Sequence, residues 1–315
     1  REGKNGYKFL EVMWYDVPGR DDKWKEETLQ AMDYDYQKFA QEFECQFLGS
    51  SGTLIEGSKL KTLVIKDPIA ESNKIRMYDK PVKGRTYVMV ADVSRGKGLD
   101  YSAFSVFDVT KMPYKQVCIF RDNMITPIDY AEIIHRISKN YNDAYVLVEV
   151  NDIGEQVTET LHFDFELETI LYTESAGRSG KRISGGFGRN VDKGIRTTKS
   201  VKAIGCNMLK MLIEQDQLIV NDFNTINELS TFSRKGVSYE AESGAHDDMV
   251  MGLVLFGWLT DQLFFKEITD INTMMRLKQK SEEEIMDDLI PFGFNMDDVI
   301  EEEQVDTSYS KFFNY

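Results

Sequence analysis

The chain has 315 residues, 42% of them hydrophobic, which is enough to bury a full core and is ordinary for a soluble protein. Its formal net charge of −15 excludes a surface that is basic overall, so any grip on nucleic acid has to be local. No run of eighteen apolar residues occurs, so no helical membrane span is expected.

Three cysteines, Cys45, Cys118 and Cys206, are odd in number and far apart. They read as reduced thiols in a cytosolic protein, without a disulfide framework or a zinc cluster. The chain opens on Arg1 rather than Met, and Arg1-Glu2-Gly3-Lys4 leads into no signal-peptide core, so a fragment of something longer is expected.

In chain order, Asp16 to Arg20 is a turn, and Trp24 to Phe47 carries Leu29, Met32, Phe39, Phe43 and Phe47 at helical spacings. Ser50 to Thr53 suggests a boundary, and residues 55–85 are mixed. Thr86 to Val93 predicts a buried strand. Arg95 to Gly98 predicts a turn, with further strands at Tyr101 to Val109 and Gln116 to Arg121 in an antiparallel meander. Pro127 suits the first position of a helix reaching about Tyr141. Ala144 to Val150 is a strand, Gly154 to Phe165 a helix and Thr169 to Tyr172 a strand. A Gly-rich basic loop follows. Thr197 to Gln215 predicts a strong helix, Leu218 to Val220 a short strand, Phe223 to Phe232 a helix and Gly236 to Ala241 an extended segment. His246 to Leu263 predicts a long, buried, apolar helix. This order implies an α/β fold with a mixed sheet flanked by helices.

Charge is unevenly placed. From Phe264 to Tyr315 there are 13 acidic and 5 basic residues, an acidic tail suited to docking or mobility. From Gly177 to Lys202 there are eight basic residues and one acid, Asp192. Such a loop is compatible with phosphate contact, and equally with plain solvation.

Three acidic sites stand out. Asp92 ends the run Val88-Met89-Val90-Ala91, Glu149 ends Tyr145-Val146-Leu147-Val148, and Asp247-Asp248 open the last helix after His246. Each has an ordinary reading: a turn former for Asp92, a partner for a neighbouring Arg or Lys for Glu149, a helix cap for the Asp pair. Yet Glu is a poor strand residue, and a buried carboxylate needs a partner. Two strand ends and a helix start can converge at one sheet edge. Together these acids fit a two-metal hydrolase that cleaves phosphodiesters, with Mg²⁺ or Mn²⁺ (two ions) favoured by hard oxygen ligands. With only His135, His162 and His246 present, a His-rich zinc centre lacks ligands. Gly177-Arg178-Ser179-Gly180-Lys181-Arg182 has the wrong spacing for a phosphate loop, and no Gly-x-Ser-x-Gly occurs.

Five stretches together resemble the large terminase subunit of tailed bacteriophages, most closely the T-even type. They are Trp14 to Asp21, Gln41 to Ser50, Ala91 to Ser102, Val148 to Asn151, and Ala245 to Met251. The resemblance covers residues 1 to about 263. It implies the end of an ATPase domain and linker over 1–54, a ribonuclease-H-like nuclease domain over 55–263, and an acidic tail over 264–315 that no motif covers. The family's metal-binding, catalytic acids fall on Asp92, Glu149 and the Asp247-Asp248 pair, with Asp100 and His246 as supporting residues. Arg95, Lys97, Arg178, Lys181, Arg182, Arg189, Arg196 and Lys199 then become candidate phosphate contacts, which position DNA without reading sequence. The implied activity is metal-dependent endonuclease cleavage of concatemeric viral double-stranded DNA during genome packaging. In full-length form the implied partners are the portal protein, the small terminase subunit and ATP, with no membrane. The implied place is the host cytoplasm, at the procapsid portal. The phosphate loop is absent from this chain, so the resemblance assigns it no ATPase activity. Two other readings stay open. A resolvase or similar ribonuclease-H-like nuclease would prefer four-way junctions, and a non-catalytic motor assembly module would bind no metal.

Overall fold

The computed structural model describes residues 12–32, 34, 39, 43, 52–96, 98, 100–151, 153–175, 180–186, 191–236, 238–242, 244–270 and 274. The Cys45, Lys97, Arg178 and Arg189 expectations, and nearly all of the acidic tail, lie outside them.

After a short turn of 3-10 helix at Trp14–Asp16, helix α1 spans Asp22–Ala31. The Asp21 carboxylate starts it by accepting the Trp24 N–H at 2.9 Å. Trp14, Leu29 and Phe39 are buried together, with Trp24, Met32 and Phe43 against them. The expected helix from Trp24 to Phe47 is thus described in part: α1, with Phe39 and Phe43 in helical conformation.

Helix α2 is Gly57–Leu60, and strands β1 (Ala70–Ser72) and β2 (Ile75–Met77) form a hairpin that the sequence does not reveal. The meander follows as β3 (Tyr87–Asp92), β4 (Ser102–Asp108) and β5 (Tyr114–Asp122). Helix α3 (Pro127–Asn140) has Pro127 in its first turn and Thr126 as its cap. It buries Tyr130, Ile133, Ile134 and Ile137, the stripe that periodicity predicts. Strand β6 (Tyr145–Val148) leads into helix α4 (Gly154–Glu159), which continues as a π-helical turn over Thr160–Asp164.

The Gly-rich basic stretch departs from expectation. It holds β7 (Tyr172–Ser175), β8 (Lys181–Ser184) and β9 (Val191–Lys193), a small antiparallel sheet in the order β8-β7-β9. The strand expected at Thr169 to Tyr172 is only a bridge at Ile170, and the pairing begins at Tyr172. Short strands with alternating charges carry no apolar periodicity, so this sheet is hidden in the sequence.

Helix α5 (Lys199–Glu214), strand β10 (Leu218–Ile219), helix α6 (Phe223–Thr231), the hairpin β11 (Phe232–Lys235) with β12 (Ser238–Ala241), and helix α7 (Asp248–Thr260) complete the order. A further helix, α8, covers Leu263–Asp270. Among the described residues no single helix is long and apolar enough to cross a membrane.

The main sheet runs β1-β2-β5-β4-β3-β6, with β10 parallel to β5 at one side. Strands β3, β4 and β5 are antiparallel, and β6 joins β3 in parallel through the crossover helix α3. Alternation along the strands sorts the core. Met89, Ala91, Val146 and Val148 face α3, whereas Val88, Val90 and Leu147 face α5 and α7. Helix α7 is buried at every position, as its all-round apolar sequence requires. It meets α5 backbone to backbone. A Cβ on Gly205 would stand 2.3 Å from the Val254 carbonyl oxygen, and one on Gly257 would stand 2.6 Å from that of Gly205. Leu54 and Phe265, on either side of the expected nuclease limits, pack into this same core. Cys118 and Cys206 are free thiols, both buried.

Candidate active site

The alternation that sorts the core also aims the acids. Asp92 has the parity of Val88 and Val90, and Glu149 that of Leu147, so both point to the side of α7. The last registered pair of the parallel strands is Ala91 with Val148, and the Glu149 N–H donates to the Ala91 carbonyl at 2.8 Å. Asp92 and Glu149 are therefore lateral neighbours one residue beyond. Helix α7 begins over the same edge with Asp248. Asp92, Glu149, Asp247 and Asp248 line one open cleft of about 460 Å³, together with Ser94, Arg95, Asp100, Tyr101 and Asn151.

Local contacts hold each acid. Tyr130 of α3 donates its hydroxyl to the Asp92 carbonyl at 3.1 Å, which fixes the end of β3. The Ser94 N–H donates to the Ser102 hydroxyl at 3.1 Å and ties that end to β4. Asn151 donates to Glu149 Oε1 at 2.7 Å. The Tyr101 N–H donates to Asp248 Oδ1 at 3.2 Å, and the Ala241 N–H to Asp247 Oδ2 at 3.3 Å. Gly154 lets α4 approach, since a Cβ there would stand 2.0 Å from the Glu149 carbonyl oxygen.

The electrostatics are those of crowded negative charge. Burial pushes the Asp92 carboxyl well above its ordinary value. The charge of Glu149, a hydrogen bond between the two side chains, and Asp248 add to it. Asp248 is pushed up to about 6, by burial first, against the pull of the Tyr101 N–H, Arg121 and His246. Among the described residues, the ion-pair partner of these acids is His246, whose Nδ1 lies 3.7 Å from Asp248 Oδ2. That oxygen is buried and accepts no hydrogen bond.

A divalent cation suits this set: hard oxygen donors, excess negative charge, and one buried oxygen without a hydrogen. The side chains are not closed into a cage. Among the described residues no three acidic, His or Cys side chains stand together at metal-ligand spacing.

Beside the cleft runs a groove of about 670 Å³ that shares Glu149, Asn151 and Asp247 with it. Its far wall is the start of α5, with Thr198, Lys199 and Lys202, and the β11–β12 hairpin through Ser238 and Tyr239.

The sequence of residues 89–256 matches the family model described as the terminase RNase H-like domain. The chain belongs to this family. Two large terminase subunits, from Thermus virus P23-45 and Thermus phage G20c, are each 26% identical to it over 257 residues. The aligned part is 78% of this chain and 45% of each relative, so the chain spans about half of their length. In fold it is similar to the crystal structure of the large terminase nuclease from thermophilic phage G20c with bound magnesium. The TM-score is 0.50 at 22% identity, over 66% of this chain and 97% of that one. The same nuclease with bound cobalt aligns at 0.50 and 23% identity, over the same shares. The ribonuclease-H-like fold expected from the motifs is thus the fold of this terminase family chain.

The other expected residues are placed as follows. Asp100 and Arg95 are exposed on the cleft, and His246 is half-exposed beside Tyr101, ring edge to face at 5.0 Å. Lys199 lines the groove. Three cations of the basic stretch are turned to acids of the chain itself: Lys181 to Asp192, Arg182 to Glu174 at 2.6 Å, and Arg196 to Glu155. Sequence reasoning did not single out Tyr101, Asn151, Lys202 or Glu228. Asn151 lay within reach, two residues beyond Glu149. The others are brought in by tertiary packing alone.

Proposed function

We propose that this chain is the nuclease part of a large terminase subunit, hydrolysing phosphodiesters of double-stranded viral DNA with the aid of Mg²⁺ or Mn²⁺ as two ions. The observation that carries this is the convergence of Asp92, Glu149 and Asp248 on one open cleft, with Asp248 Oδ2 buried and unbonded. Support comes from the family and from the magnesium and cobalt bound by the G20c nuclease.

Asp92, Glu149 and Asp248 would hold the ions, with Asp247 at the rim. Bound divalent ions supply Lewis-acid polarisation of the phosphate and a water of lowered pKa. The chain supplies the rest. Asn151 orients Glu149, and the Tyr101 N–H orients Asp248. His246 Nδ1 stands 3.7 Å from Asp248 Oδ2, at the edge of the site. Lys199 and Lys202 line the groove that adjoins the cleft, where a DNA strand's phosphates would lie, and Arg95 lines the cleft itself. Where Lys181, Arg182 and Arg196 act on DNA, they do so by exchanging their acidic partners for phosphates.

In the longer protein this part would work on concatemeric DNA at the procapsid portal in the host cytoplasm. The portal protein, the small terminase subunit and ATP would be its further partners. The test is plasmid cleavage across Mg²⁺, Mn²⁺ and chelator, with Asp92→Ala and Glu149→Ala beside the parent. Metal-dependent cutting that both variants lose supports the reading. Cutting that survives in Asp92→Ala under chelator removes it. Preference for a four-way junction over linear duplex would favour a resolvase instead.

A further inference from the structure

We propose that Glu228 is a positioning residue of the cleft: it caps helix α7 from a neighbouring element, so that Asp247 and Asp248 face the cleft instead of capping the helix and Asp248 Oδ2 is left for a cation. The proposal rests on the metal-dependent reading above.

A helix start leaves backbone N–H groups without partners, and an Asp at the cap position usually supplies one. Asp247 holds that position in α7, yet its side chain makes no capping bond. The acceptor is Glu228 of α6. Its Oε2 takes the Met249 N–H at 2.8 Å and the Val250 N–H at 3.3 Å. Its other oxygen, Oε1, lies 2.9 Å from Nη2 of Arg121. The Arg121 guanidinium lies 3.7 Å over the Tyr101 ring, and the Tyr101 N–H holds Asp248 Oδ1.

These contacts close a circuit from Glu228 through Arg121, Tyr101 and Asp248 to the first turn of α7 and back. Glu228 is 4% exposed: Oε2 is hydrogen-bonded to the helix start, and Oε1 meets Arg121 as an ion pair without a hydrogen bond. One buried group thus sets where α7 begins and, through Arg121 and Tyr101, which oxygen of Asp248 is engaged. Oδ1 is taken and Oδ2 is left unbonded. A buried acid with an Arg partner could also be a plain structural ion pair, and the test separates the two.

Glu228→Gln keeps an acceptor for the helix N–H groups, whereas Glu228→Met keeps the shape and has none. Both lose the charge that faces Arg121. Mn²⁺ affinity by calorimetry, kcat and KM on plasmid DNA, and Tm are measured for both and for the parent. We expect Glu228→Gln to bind Mn²⁺ within about threefold of the parent. We expect Glu228→Met to bind at least about tenfold more weakly, the size typical of lost support around a metal ligand. Its kcat falls with it and its KM for DNA is unchanged. Equal Mn²⁺ affinity in the two variants, with Tm lowered in both, overturns the proposal and leaves the nuclease reading standing. A parent that neither binds Mn²⁺ nor cuts DNA overturns both.

Should Glu228→Met fail to fold, Arg121→Met decides. Removing a cation near Asp248 strengthens cation binding if only charge matters. It weakens binding if the circuit positions the carboxylate, and tighter binding overturns the proposal.

Discussion

Asp92 and Glu149 stand side by side at the ends of adjacent parallel strands, where the charge of Glu149 adds to burial in pushing the Asp92 carboxyl up. Two acids in that relation share a proton or a cation, and without either they repel. This sets a conflict between stability and catalysis. Asp92→Asn keeps a donor for Glu149 and removes a charge. In chelator at pH 8 we expect its Tm to rise above the parent's, while metal-dependent cleavage falls by about a hundredfold or more. Scanning fluorimetry and plasmid nicking check the two halves, and a lowered Tm would contradict the first.

The same crowding fixes a pH dependence. Asp248 is raised from 3.8 to about 6, and Glu228 from 4.5 to about 7, in both cases by burial first. A carboxyl that binds its proton more tightly when folded stabilises the fold below its unfolded value and loses that contribution as pH rises through the folded one. The metal-free protein is therefore expected to lose Tm from about pH 4 to pH 7. Mg²⁺ or Mn²⁺ restores it near pH 7, by about 2.7 kcal/mol at a hundredfold excess over Kd. Asp248→Asn should flatten the slope, and an unchanged slope would count against the assignment.

Asn151 touches Glu149 and offers a gentler probe. Asn151→Ala removes the donor that orients Oε1 and leaves the acids in place. We expect metal affinity to fall by about tenfold with Tm nearly unchanged. Calorimetric titration with Mn²⁺ gives the answer, and parent-like affinity would show that the bond has no orienting role.

The groove makes a different kind of prediction, one read in salt. If Lys199 and Lys202 each meet a phosphate, replacing either with Ala weakens DNA binding at every sequence alike. The slope of log affinity against log salt then becomes shallower by about 0.9 per contact on duplex DNA. Fluorescence anisotropy between low and moderate salt measures it. An unchanged slope places the DNA elsewhere.

Gly205 tests the packing beneath the site. A methyl group there meets the Val254 carbonyl oxygen and has no flexible neighbour to move aside. Gly205→Ala is expected to cost about 1–3 kcal/mol by forcing α5 and α7 apart. Denaturant unfolding checks this, and a parent-like midpoint would mean that the helices adjust freely.

Much of this was legible in the sequence, for physical reasons. Strand β3, helix α3 and helix α7 announce themselves through period and burial: an unbroken apolar run, a stripe at spacings of three and four, and an all-round apolar helix. Asp92, Glu149 and Asp248 were conspicuous as charges at the ends of those same runs. The β1–β2 hairpin was not visible, because Ala70-Glu71-Ser72 is a weak strand whose turn depends on Asn73 and Lys74 at positive φ. The sheet of β7, β8 and β9 was not visible either. Its strands are short and polar, and the acids that meet its cations include Glu155 and Glu174, outside the stretch where basic residues were counted. The cap on α7 was beyond reach, because Glu228 lies 21 residues from Met249 and nothing local links them.

Side-chain alternation makes the central sheet a wall with one live surface. If β3 slipped by a single residue against its neighbours, Val93 would stand where Asp92 stands, and the carboxylate would be driven under α3 among Met89 and Ala91. A mispaired molecule would then have no cutting edge. The acidic edge of this chain thus assembles only with correct pairing, and a copy caught before β3 and β6 are in register has no cleft in which to hold a cation.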